Sequence, residues 1–217
     1  MRRARAVAIV LALATLLVTP PQAGAFARNA VPNSARDPVV QALRIQELNF
    51  VFTPDPGNVQ LGQTVRWANT TLNDHTTTGD APLSLWDSGN MDWHQTFTYT
   101  FTAGGVYSYL CTIHERYDMV SAIRVRDKVD PPSGPVGTIF TVTVASIPAP
   151  TDYVYDVQKR NPGGIWKDWM MGDSATSVQF DSTGKPPGTY QFRSRLHRVS
   201  DDASSDYSPS AAISVTP

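Results

Sequence analysis

The sequence holds a single cysteine, Cys111, in 217 residues. No disulfide can form within the chain, so this thiol is either protected or used. Histidine is nearly as scarce, with His75, His94, His114 and His197 and no H-x-H pair among them. Past residue 18 no apolar run approaches the roughly 20 helical positions that a membrane span needs. Beyond the first five positions no more than two basic residues adjoin, and the formal net charge is -1. That balance argues against nucleic acid as a partner. No stretch keeps helical periodicity over three turns. The second half shows no carboxylate pair and no nucleophile constellation, and the chain is not expected to be an enzyme.

What is present begins with "MRRARAVAIVLALATLLVTPPQAGAFA". Arginines lead an apolar run from Ala6 to Val18, and Ala23 and Ala25 form an A-x-A site. Residues 1–25 therefore read as a secretory signal peptide cleaved after Ala25. The expected location is outside the cytoplasm, extracellular or periplasmic. No cysteine lies near the cleavage point, which excludes an anchor attached through one. Cleavage removes three of the 18 basic residues and leaves 19 acids, so the net charge moves from -1 to about -4. Exported proteins usually pair their cysteines, which makes the lone Cys111 a question in itself.

The fold class expected is all-β. Strands read over Leu43–Phe52, Thr64–Asn69, Gln95–Phe101, Gly105–Thr112 and Ser121–Arg126. In "TFTYTF" the aromatics Phe97, Tyr99 and Phe101 alternate with threonines, the period-2 mark of a half-buried strand. Tyr107, Tyr109 and Cys111 share one face of the next strand, and Gly104-Gly105 supplies the turn between the two. The segment 127–137, "DKVDPPSGPVG", is rich in proline and glycine and reads as a linker. Alternating strands resume over 138–217, so a β-sandwich over 38–126 is expected to precede a second, smaller one. Each set has its own aromatic core positions, Trp166, Trp169 and Tyr190 in the second. These three could instead form a stacking platform for sugar.

The chemistry concentrates in "YLCTIHERYDM", where Cys111, His114 and Met119 stand as C-x2-H-x4-M. A thiolate and an imidazole are strong ligands for copper, and a thioether is a soft, weak one. One more imidazole completes the two-histidine, one-cysteine set with a long axial Met found in blue-copper electron transfer. His75 follows the strand "TVRWAN" and is the suitable upstream candidate. His94 reads as a surface residue and His197 as an exposed strand residue. Catalytic zinc is a poorer match, because zinc sites seldom use thioether. A dinuclear copper centre needs a second cysteine, and a multicopper oxidase needs many more imidazoles. A single copper remains.

Residues 45–126 resemble a cupredoxin of the plastocyanin and pseudoazurin group, on "VQLGQTVRWAN", "NDHT", "WDSGNM", "FTYTFTAGGVYSYLCTIHERYDM" and "AIRV". The resemblance implies a Greek-key sandwich with a type 1 copper held by His75, Cys111, His114 and Met119. It also implies one-electron transfer between redox protein partners. Ile113 stands where many relatives carry proline, and Ser121 where they carry glycine. Thr76 and Thr112 are expected to donate hydrogen bonds around the sulfur, and Ile113 and Tyr117 to rim the exposed edge of His114. Residues 138–217 more loosely resemble a fibronectin type III or immunoglobulin-like module, suited to spacing or to attachment at a protein or cell surface. The competing readings are a non-redox copper storage or delivery protein and an accessory subunit of a separate redox enzyme.

Overall fold

A computed structural model describes residues 41–217 of the chain, and the leader expected over residues 1–25 lies outside the described residues. The first half is built from eight strands: β1 (Leu43–Leu48), β2 (Val51–Thr53), β3 (Gly57–Gln60), β4 (Gln63–Asn69), β5 (Thr78–Gly79), β6 (Thr96–Phe101), β7 (Gly105–Leu110) and β8 (Val120–Arg126). They form two four-stranded sheets, in the orders β2-β1-β4-β6 and β3-β8-β7-β5. Most neighbours run antiparallel, but β1 lies parallel to β4 and β3 parallel to β8. The sheets meet face to face through large rings. Trp67 of β4 packs 5.6 Å from Tyr109 of β7, and Phe52 of β2 lies 4.6 Å from the same tyrosine. Burying rings of this size supplies most of the drive for closing the sandwich.

The strand expected over Leu43–Phe52 is two strands. A turn at Asn49–Phe50 folds β2 back antiparallel on β1, pairing Leu48 with Val51. Phe50 takes a positive φ of 65° there. A bulky residue rarely adopts that conformation, so tertiary contacts must hold it.

The second half adds β9 (Lys128–Asp130), β10 (Ser133–Pro135), β11 (Ile139–Thr143), β12 (Tyr153–Arg160), β13 (Trp166–Asp173), β14 (Ser177–Asp181), β15 (Gly188–Arg198), β16 (Ala203–Ser204) and β17 (Ala211–Thr216). One sheet runs β10-β17-β15-β12-β13 with β16 on β15, and the other runs β14-β11-β9. Phe180 of β14 contacts Tyr190 and Phe192 of β15 across the gap at 4.9 and 5.5 Å. Among the described residues no helix is long and apolar enough to cross a membrane.

The segment expected as a linker, 127–137, carries β9 and β10, which pair with β11 and β17. Asp127 opens it with a buried carboxylate that accepts hydrogen bonds from Ser194 Oγ at 2.6 Å and Ser208 Oγ at 3.3 Å. Two isolated bridges, Ala103 to Ala145 and Val106 to Asp206, stitch the halves together. The Gly104 amide donates to Val144 O at 2.8 Å. A Cβ at Gly104 would collide with Asp127 and Ser194, so the approach needs glycine. The buried side chains of both halves form one contiguous cluster.

Candidate metal centre

The site is built at one end of the first sandwich, where β7 runs out. Alternation along β7 turns Tyr107 and Tyr109 inward, and Cys111 continues that face just past the strand, fully buried. Its amide donates to Met119 O at 3.0 Å, which closes the loop between them. Inside the loop, the His114 amide donates to Cys111 O at 3.0 Å and a single 3-10 turn runs over Glu115–Tyr117. Asp118 ends that turn in the left-handed region at φ 55°, a conformation short polar side chains tolerate. The chain therefore doubles back and brings Cys111, His114 and Met119 to one locality. Met119 is buried against the core.

The upstream histidine comes from the connection after β4. The Asn69 side chain ends that strand and ties the connection down. Its Nδ2 donates to Asn73 O at 2.7 Å and Met91 O at 2.8 Å, while its Oδ1 accepts from the Thr71 amide at 2.8 Å. His75 then pairs with Met91 in an isolated bridge. Its Nε2 lies 3.1 Å from Thr71 Oγ1. With Nε2–H donating to that hydroxyl, Nδ1 keeps its lone pair and faces inward, the usual way an outer partner fixes a ligating imidazole.

Three donor atoms converge. His75 Nδ1 lies 3.8 Å from Cys111 Sγ, His114 Nδ1 lies 3.4 Å from it, and the two nitrogens are 3.2 Å apart. A triangle with these edges has a centre about 2.0 Å from each corner, which matches metal–imidazole bonds and falls slightly short of metal–thiolate ones. All three side chains are buried. Burial, then the neighbouring His114, push the His75 pKa down to about 4, with Asp74 pulling weakly the other way. Burial and then Arg116 lower His114 as well. Both rings are thus held neutral at ordinary pH, the state that ligates. A soft sulfur with two neutral imidazoles fits copper.

Around the sulfur, the Thr76 amide donates to Sγ at 3.3 Å. Thr112 does not reach the sulfur by the bonds present. Its amide donates to Thr76 Oγ1 at 2.9 Å, and the two hydroxyls are 3.1 Å apart, so Thr112 fixes Thr76 instead. His94 is exposed and stacked on Trp93 at 4.1 Å, away from the triangle. His197 differs from the exposed residue expected. It is half-buried between Asp156 at 3.1 Å and Asp202 at 2.9 Å. Three residues near the centre were not marked by the sequence. Phe50 meets the His114 ring edge-on at 4.9 Å and stacks on Tyr117 at 4.1 Å. Asn69 and Thr71 hold the His75 loop. An asparagine ending a strand before a polar loop was the available signal for Asn69.

No family model matches the chain. Among solved structures, an amicyanin mutant in a reduced Cu(I) form is 25% identical over 39% of this chain and 81% of its own, with a TM-score of 0.36. A copper-containing nitrite reductase from Thermus scotoductus SA-01 is 22% identical over 39% of this chain and 22% of its own, at 0.36. A purple cupredoxin from Nitrosopumilus maritimus is 22% identical over 38% of this chain and 98% of its own, at 0.35.

Proposed function

We propose that residues 38–126 form a cupredoxin with a type 1 copper site and that the protein carries single electrons between redox partners. The observation that carries this reading is the buried triangle of Cys111 Sγ, His75 Nδ1 and His114 Nδ1. His75, Cys111 and His114 would hold one copper, with Met119 as the weak fourth donor, and the metal when bound supplies a Cu(I)/Cu(II) couple. The chain's own residues do the rest. Side-chain bonds of Asn69 and backbone bonds at Met91 and Met119 keep the donors in place across a change of charge. The Thr76 amide stabilises negative charge on the sulfur. His114 is the ligand nearest solvent, at 9% exposure. Ile113 and Tyr117 stand exposed beside it in sequence, an apolar rim suited to brief docking of a partner. With four protein donors no position is left for a substrate, which favours a carrier over an enzyme. Export, on the leader expected over residues 1–25, belongs to the same proposal.

The test is copper reconstitution followed by absorption spectroscopy. The Cu(II) form should be intensely coloured, Cys111→Ser should be colourless, and His94→Ala and His197→Ala should match the parent. A colourless Cu(II) parent would refute the reading. Colour lost in His94→Ala but kept in His75→Ala would overturn the choice of upstream ligand.

A further inference from the structure

The outward face of the second half carries a row of cations and aromatics that the metal centre does not use. Trp166, expected in the core, lies on this face instead. Its ring is contacted by two guanidinium groups, Arg160 at 5.0 Å and Arg193 at 4.4 Å. Arg193 also lies 4.6 Å from the Tyr207 ring, and Arg195 lies 5.1 Å from it. The strand register explains the row, because β12 sets Arg160 opposite Gln191 and Gln158 opposite Arg193. These residues alternate with Val157, Phe192 and Ser194, which face the core.

What holds the two guanidiniums is unusual. Arg193 donates through Nε and Nη2 to Gln158 Oε1 at 2.9 and 2.7 Å. Arg160 makes the same pair of bonds through Nε and Nη2 to Gln191 Oε1. Among the described residues neither arginine has a carboxylate within salt-bridge distance, whereas Arg195 has Asp156 at 2.9 Å and Arg198 has Asp201 at 2.7 Å. Asp168 enters the network only as the acceptor for Gln158 Nε2. A glutamate in place of either glutamine would accept the same N–H groups and cancel the charge. The neutral amides instead fix both side chains and leave each without a directly paired carboxylate. Each Nε–Nη2 edge is occupied, so the Nη1–Nη2 edge of each fork remains for a bidentate oxyanion. Two like charges share one indole with no carboxylate in direct contact, a cost that a bound anion would reduce.

Beside Arg160 the sheet ends in a shallow groove lined by Asn161, Gly163, Gly164, Thr189 and Gln191. It offers amide, hydroxyl and bare backbone groups, and no acid lines it. Two fixed forks for carboxylates next to a neutral hydrogen-bonding groove suit a chain that is both anionic and rich in hydroxyls. We infer that this face binds an acidic polysaccharide, with Arg160 and Arg193 each gripping a carboxylate and the adjoining groove taking sugar hydroxyls.

The test is titration of the full chain with polygalacturonate at low salt, read by calorimetry and by Trp fluorescence. Binding should weaken as salt rises, and neutral dextran should not bind. The informative variant is Gln158→Glu with Gln191→Glu, which keeps both arginines and their partners while cancelling the charge. It should lose at least about tenfold in affinity. Because a glutamate at 158 also meets Asp168, Gln191→Glu alone is the control that should lose affinity with thermal unfolding unchanged. Arg160→Lys with Arg193→Lys keeps the charge but loses the fork, and should fall between the two. Failure of the parent to bind polygalacturonate, or parent affinity in the double glutamate variant, overturns the inference. Equal affinity for single-stranded DNA would overturn the sugar assignment. None of these readouts depends on copper.

Discussion

Glu47 lies on the inward face of β1, opposite Asn69 of β4, and is fully buried. Neither carboxylate oxygen has a hydrogen-bond partner among the described residues, and the nearby Trp67 Nε1 and Tyr109 hydroxyl are unpartnered too. Burial pushes the Glu47 pKa up to about 8 from an ordinary value of 4.5. The sign follows from proton counting. Below about pH 4.5 folded and unfolded chains both hold the proton, and the group leaves stability unchanged. Between about pH 4.5 and 8 the unfolded chain releases the proton while the folded chain keeps it, so stability falls as pH rises. At about 1.36 kcal/mol per pH unit, the full window amounts to up to about 5 kcal/mol, and above pH 8 the loss levels off. Replacing an unpartnered buried acid with an apolar residue of similar volume removes this cost. Glu47→Leu should therefore differ least from the parent near pH 4.5 and gain a further several kcal/mol on it by pH 8. Urea unfolding at half-unit pH steps measures the difference. Asp127, pushed up to about 7 chiefly by burial, and His75 also titrate across this range, but they contribute equally to parent and variant. Parallel curves for the two proteins would refute the reasoning.

Met119→Leu should keep the metal and its colour while raising the midpoint potential, because the weak donor that favours Cu(II) is lost; an unchanged potential, read by redox titration, would remove Met119 from the ligand set. A fragment ending at residue 130 keeps β1–β8 but loses the Ser194 and Ser208 hydroxyls from Asp127. It should unfold several kcal/mol more easily, because apolar side chains that the two halves bury in one shared cluster are left facing water. A fragment as stable as the full chain would show the seam to be passive.

Much of the first half can be read from local sequence. The Phe97, Tyr99, Phe101 alternation and the Tyr107, Tyr109, Cys111 face mark β6 and β7 directly, because a strand's period is short enough to show in six residues. C-x2-H-x4-M is legible for the same reason, since one loop holds all three side chains. Phe50 is hidden because turn chemistry predicts glycine or asparagine at a positive φ, and only its contacts with His114 and Tyr117 account for a phenylalanine there. Trp166 misled because an aromatic in an alternating strand reads as core. Its outward placement depends on which arginines lie across β12 and β15, a register between residues about 30 apart. Glu47 was visible as an acid two positions from Ile45 on an inward face, yet nothing local says that it lacks a partner.

The seam between the halves bears on the site as well as on stability. Arg198 of β15 donates to Leu83 O at 3.1 Å and Pro82 O at 3.0 Å, while Asp201 fixes its guanidinium from the other side. Those carbonyls belong to the loop that follows β5. That loop is tied back to β5 and β7, the Gly79 amide donating to Trp86 O at 2.8 Å and the Asp80 amide to Ser108 O at 2.9 Å. At the other end of β5, Thr78 Oγ1 donates to Thr76 Oγ1 at 3.2 Å, and the Thr76 amide is the donor to Cys111 Sγ. A continuous run of short bonds therefore links a guanidinium of the second half to the only backbone N–H on the sulfur among the described residues. In the copper-bound form proposed above, small shifts in that N–H would change the negative charge stabilised on the sulfur, and with it the proposed Cu(I)/Cu(II) balance. On this reading the second half stiffens the scaffold on which the thiolate depends, while its outward arginine face is left free for a partner.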